Sequence, residues 1–342
     1  MLKKEKQIKL YLLTLTTLFI ISFALLSVTA EESEIPTCGD GTLYRDCSLN
    51  KPYFCDNGIL AENVPFCGCS EISNASGDSC IFGYKSYPEI RTFRYFLDGE
   101  EHFIDVTLYG EAAEQFSKIS RSIEYTNGQQ PLREDFKKKV ISNEAQKELI
   151  MPLVVKIQNL DSDKTQQARI AISLVQNIPY GSIEKSTPFA GSEVNYSQYP
   201  YEVLYYNQGI CGEKSALLAF LLKELGYNTA IFYFAEENHE AVGVSCPVEK
   251  SYKNTGYCFV ETGGPSIIAD SALEYVNGIK LESEPQVIPI SEGISLPSDL
   301  KEYRDSKDLK DIRNRNFFGL LKFYRFGGIK SRYGLVEEYG LE

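Results

Sequence analysis

The chain has 342 residues, room for two or three structural units at about 100–200 residues each. A hydrophobic share of 43% and an aromatic share of 12% are those of a globular protein, and they argue against collagenous, disordered or polytopic classes. A net charge of −12 repels phosphate backbones, so nucleic acid is a poor partner.

Residues 1–30 read as an address. Lys3, Lys4, Lys6 and Lys9 form a basic flank, an apolar run follows over residues 10–28, and Val28-Thr29-Ala30 supplies a small-residue cleavage site before Glu31. That is the pattern of a secretory signal peptide. The run also approaches the ~20 apolar residues that span a bilayer, so an uncleaved N-terminal membrane tether stays open as the second reading. Both place residues 31–342 outside the cytoplasm, because the positive flank stays inside.

Residues 31–86 form a cysteine-rich module. Cys38, Cys47, Cys55, Cys67, Cys69 and Cys80 crowd a stretch short of aliphatic residues and rich in Gly, Asp, Asn, Ser and Pro. Such a stretch builds little core and relies on covalent constraint. Six cysteines allow 15 disulfide connectivities. Cys67-x-Cys69 lacks the usual zinc-ligand spacing and no His stands nearby, so disulfides are expected rather than a metal. No phosphate loop, zinc-protease helix or EF-hand loop occurs, and no metal or organic cofactor is expected.

Residues 87–160 read as a hairpin plus a helical linker region. The alternation from Arg91 to Tyr109 turns at Asp98-Gly99, and His102 in its second strand reads as a surface or packing histidine. A unit over residues 161–275 then carries the chemistry. Asp161 or Ser162 caps a helix with Ala168, Ile170, Ala171, Leu174 and Val175 on one face, and Pro179 stops it. A second helix runs from Cys211 and closes at Gly226. Strands are expected over 229–235, 239–246 and 257–262, with 267–269 as a candidate fourth. Helices followed by antiparallel strands make an α+β fold. Residues 276–342 form a C-terminal extension without a functional signal.

Nine cysteines leave an odd one. Cys246 and Cys258 bracket a polar loop and are candidates for a fourth bridge, which isolates Cys211. At a helix N-terminus a thiol meets unpaired N–H groups and the positive end of the dipole, where the thiolate is favoured. Gly209 and Gly212 would let a carbonyl approach, with the Cys211 N–H as oxyanion donor and Gln208 as a further candidate. His239, one of two histidines, follows a polar turn and can serve as base. Glu261 supplies the orienting carboxylate, with Asp270 as fallback. Register raises a conflict. Pairing Cys246 with Cys258 puts Glu261 opposite Gly243, about 13 Å along the strand from His239. Pairing His239 with Glu261 leaves Cys246 beyond Cys258. Either the loop curls back or one assignment gives way.

The segments Tyr199-Pro-Tyr-Glu-Val-Leu, Gly209-Ile-Cys-Gly-Glu-Lys-Ser, Leu225-Gly-Tyr, Asn238-His-Glu-Ala-Val-Gly-Val and Tyr257-Cys-Phe-Val-Glu-Thr resemble the transglutaminase-like (papain-like thiol) superfamily, in an exported archaeal or bacterial form. The helix end Val175-Gln-Asn-Ile-Pro-Tyr180 matches the element before the nucleophile in that group. The cysteine-rich run resembles a small module of archaeal surface proteins. The resemblance covers roughly residues 160–270 and implies a nucleophile helix packed on an antiparallel sheet. It makes Cys211 the nucleophile, His239 the base and Glu261 the acid. Many members carry Asp in the third place and a Trp near the site; this chain has Glu and no Trp. The implied function is acyl transfer or hydrolysis at peptide or isopeptide amides through a thioester, on a protein or peptide substrate at the cell envelope. The alternative is a non-catalytic cell-envelope binding module on the same fold. Asn74-Ala-Ser76 and Asn195-Tyr-Ser197 fit glycosylation acceptors.

Overall fold

A computed structural model describes residues 36–335 apart from 127, 184–185, 190–191, 196, 273, 276–278 and 315–319. The leader over 1–30 and the side chain of Asn195 lie outside the described residues. Two compact units divide the chain, 1–36 and 37–342, and all the described helices and strands belong to the second.

The cysteine-rich segment is held by Cys38–Cys55, Cys47–Cys67 and Cys69–Cys80. All six sulfurs are therefore consumed in bridges, which removes them as zinc ligands. A fourth bridge joins Cys246 to Cys258. Four disulfides fit an oxidising, extracytoplasmic compartment. Among the described residues no helix is long and apolar enough to cross a membrane. Strands β1 (Tyr53–Asp56) and β2 (Ile59–Glu62) make the module's main hairpin. A side-chain amide docks it. The Asn159 carboxamide accepts from Leu60 N at 2.8 Å and donates to Leu60 O at 2.9 Å, satisfying both backbone groups of that residue. Asn74 is exposed on a short strand.

The long hairpin of β3 (Pro88–Leu97) and β4 (Glu100–Tyr109) turns at Asp98 (φ 53°) and Gly99 (φ 90°), the left-handed pair that a two-residue hairpin loop requires. His102 stacks on Tyr95 there with ring centroids 5.2 Å apart, a packing role. Helices α1 (Gly110–Lys118), α2 (Arg133–Ile141), α3 (Glu144–Leu160) and α4 (Lys164–Gln176) follow. The cap of α4 is Asp163, whose carboxylate accepts from Thr165 N, rather than Asp161 or Ser162; Asp161 closes α3 instead. Its inward residues Ala168, Ala171, Leu174 and Val175 are all buried, as their spacing predicts.

After α5 (Pro200–Tyr206), α6 (Cys211–Glu224) ends in Leu225 and in Gly226 at φ 94°. Residues 216–222 of this helix are apolar all round and all buried, so it is a core helix with only its two ends near solvent. It packs on a four-stranded antiparallel sheet of order β7-β6-β5-β8, formed by β5 (Thr229–Phe234), β6 (His239–Ser245), β7 (Tyr257–Val260) and β8 (Gln286–Ser291). The fourth strand is thus β8, from the C-terminal extension. Residues 267–269 instead make a turn with Ala269 at φ 68°. The chain is a mixed α/β protein with small antiparallel sheets and four disulfides.

The tail adds α7 (Lys301–Asn314) and α8 (Leu320–Tyr333). Glu302 of α7 meets the Arg169 guanidinium of α4 through two bonds of 2.6 and 2.9 Å, a forked, largely buried pair.

Candidate active site

Three segments converge on the start of α6. Helix α4 ends at Asn177, and Ile178-Pro179-Tyr180 then runs beside Gly209 as a parallel bridge: Gly209 N donates to Pro179 O, and Gly181 N to Gly209 O. Glu213 fixes the entry of α6 itself. Its buried carboxylate accepts from Ile210 N (3.0 Å), Gln198 N (2.8 Å) and Gln198 Nε2 (2.9 Å), closing a capping interaction where Ile210 has no polar side chain to offer. The third segment is the turn after β7, where Thr262 Oγ1 donates to Cys211 O.

Cys211 is the free cysteine, half-buried at the first position of α6. His239 opens β6. Its Nε2 stands 2.9 Å from Oε2 of Glu261, and the Cys211 side chain is the other group that bears on the imidazole. With Nε2 engaged by the carboxylate, the nitrogen left for the thiol is Nδ1. Glu261 is fully buried, and its second oxygen accepts from Thr262 N (3.0 Å) and Gly263 N (2.6 Å). Burial opposes a charged imidazole, yet the Glu261 carboxylate and the Cys211 side chain outweigh it and raise His239 to about 10. Cys211, His239 and Glu261 are therefore brought together, with the His239–Glu261 hydrogen bond at the centre of the set.

The register conflict dissolves. Val244 faces Cys258 and Val242 faces Val260, midway between the two strict pairings expected from sequence. Glu261 is then a diagonal neighbour of His239, a gap their long side chains span, and Cys246, just past the end of β6, closes on Cys258 with the Cα atoms 5.7 Å apart. Cys246 N donates to Gly256 O, as this register requires.

The supporting residues fall differently. The Gln208 amide lies against Gly181, where a Cβ would stand 2.0 Å from its Nε2. The missing side chain of Gly212 makes room for the Lys137–Glu240 ion pair, with Glu240 Oε2 3.0 Å from where its Cβ would be. Asp270 is not an orienter: both its oxygens accept from Nη1 of Arg313, at 2.8 and 2.9 Å. Among the described residues no group of three His, Cys, Asp or Glu is placed to hold a metal ion.

Two residues at the site escape a reading of types and spacing. Tyr180 stands beside Cys211; desolvation of its hydroxyl and the Cys211 and Glu261 charges raise its pKa. Lys214 is fully buried one turn along from the nucleophile. The signals were present. Tyr180 closes the helix-end motif, and Lys214 shares a helical face with Cys211 at i+3.

No family model matches the chain, and no curated protein matches it.

Proposed function

We propose that the protein is an exported thiol enzyme of the transglutaminase-like kind, acting by acyl transfer at peptide or isopeptide amides. The observation that carries this reading is the chain from the Cys211 thiol through the imidazole to the 2.9 Å contact with a buried carboxylate. A packing role for Cys211 needs neither partner. A helix on an antiparallel sheet, with the nucleophile at the helix start, supports the superfamily assignment, and the set of disulfides supports export, secreted or tethered by residues 10–28.

In this reading His239 takes the thiol proton, and Glu261 steadies the imidazolium so formed. The Cys211 sulfur attacks the amide carbonyl carbon, and negative charge gathers on its oxygen. The Cys211 N–H at the helix start donates to that oxygen, with the Tyr180 hydroxyl as second donor in place of the absent Trp. As the C–N bond breaks, His239 returns its proton to the leaving nitrogen, and an acyl thioester remains. Water, deprotonated by His239, attacks the thioester; the C–S bond breaks and the acid leaves. An amine in place of water would give transamidation.

The test is the pH dependence of Cys211 alkylation by iodoacetamide in the folded ectodomain beside His239→Ala. Reactivity persisting well below the ordinary thiol range of about 8.5, and lost in the variant, supports an activated pair. An ordinary thiol profile in both proteins sinks the enzyme reading and leaves a binding module on this fold.

A further inference from the structure

Lys214 has no exposed surface, and its stem packs beneath the nucleophile turn, 3.2 Å from where a Gly209 Cβ would stand. An ammonium carries three donors and no acceptor. Three backbone carbonyls meet it: Gln176 O at 3.3 Å, Ile178 O at 2.6 Å and Gly263 O at 3.1 Å. The first two lie at the end of α4, where carbonyls have no helical partner. The third belongs to the turn whose N–H groups hold the Glu261 carboxylate.

One cation thus joins the segment that delivers Tyr180 to the segment that delivers Glu261, and it does so from the helix that bears Cys211. Burial drives the amine down to about 7, while the Glu261 and Cys211 charges pull the other way. An uncharged amine would turn a lone pair towards a carbonyl, so the arrangement of three acceptors belongs to the ammonium. Packing does not explain that charge. A methionine fills a similar volume without the desolvation cost of a buried cation.

We propose that Lys214 is a positioning residue of the thiol site, its ammonium clamping Tyr180 and Glu261 into register with Cys211 and setting the field in which the thiolate forms. The proposal rests on the thiol-enzyme reading of Cys211, His239 and Glu261. The charged groups that bear on it are Glu261 from the turn after β7 and Cys211 from its own helix, with His239 on β6 bonded to Glu261.

The experiment compares iodoacetamide alkylation of Cys211 across pH in the wild-type ectodomain, Lys214→Met and Lys214→Gln, each checked for folding by circular dichroism and cooperative melting. Lys214→Met is expected to react about tenfold more slowly at pH 6, the effect of moving the profile about one pH unit upward. Lys214→Gln, which restores donors without charge, is expected to fall between that variant and the wild type. An activated wild type with unmoved profiles in both folded variants overturns the role of Lys214 alone. A slower rate with no displacement along pH does the same, because it marks a merely structural lysine. Failure of both variants to fold also assigns Lys214 to stability and overturns the proposal. An ordinary thiol profile in the wild type instead overturns the enzyme reading on which it rests.

Discussion

Val244 faces Cys258 across β6 and β7, and from that one pairing the disulfide and the acid–base pair both follow. The bridge closes at one end of the strand pair, and His239 meets Glu261 at the other. The bridge spans a sequence separation of 12 residues. Replacing both Cys246 and Cys258 by Ser should lower unfolding free energy in urea by about 2–4 kcal/mol. Because the strand ladder remains, the alkylation profile of Cys211 should be retained. A lost profile at full stability would show that the bridge itself holds the site.

Glu213 is buried with three donors on its carboxylate. Glu213→Ala leaves Ile210 N and the Gln198 groups without that acceptor at the mouth of α6. We expect a loss of about 1–3 kcal/mol, the desolvation cost of orphaned buried groups, read as a lower denaturation midpoint. Wild-type stability in this variant would mean that water replaces the carboxylate.

Tyr180 is tested through acyl transfer rather than alkylation, since displacement at iodoacetamide builds no oxyanion. With p-nitrophenyl acetate as a generic acyl donor, Tyr180→Phe should slow acylation of Cys211 by about 10²-fold, the effect of one lost oxyanion donor. Alkylation at neutral pH should change far less. Equal losses in both assays would make Tyr180 a packing residue.

Two buried groups impose opposite pH dependences on stability. Burial opposes charge on His239, but Glu261 and Cys211 raise it from 6.5 to about 10. Its stabilising contribution is complete below 6.5 and is lost as pH rises through about 10. Burial lowers Lys214 from 10.5 to about 7 against the pull of Glu261 and Cys211. The folded state then holds fewer protons than the unfolded one from about 7 to 10.5, so its contribution to stability rises with pH over that window. The two slopes oppose each other between pH 7 and 10. Relative to wild type, melting temperature over this range should tilt upward with pH in His239→Ala and downward in Lys214→Met. The same slope in all three proteins would refute the assignment of these two groups.

Local signals in the sequence were sufficient for most elements. Asp98-Gly99 marks a hairpin because few other residue pairs accept two left-handed conformations in a row. Gly226 ends α6 for the same reason. The odd cysteine, the two histidines and the turn before His239 were enough to single out Cys211, His239 and Glu261. A residue's chemical type and its place at an element's end are visible without a fold.

Tertiary structure decided what depends on partners distant in the chain. The fallback candidate acid, Asp270, is taken by Arg313, 43 residues on, and nothing near Asp270 announces that. The edge strand of the core sheet comes from Gln286–Ser291, because β5 needed a neighbour and 267–269 turns away. Register across β6 and β7 is set by the sum of all their contacts, so two pairings that each looked necessary are both met diagonally. Lys214 illustrates the limit most sharply. In sequence it is a charged residue on a helix, where a solvated position is the default. Only the approach of α4 and the Gly263 turn supplies the three carbonyls that allow an ammonium to be buried beneath the candidate nucleophile.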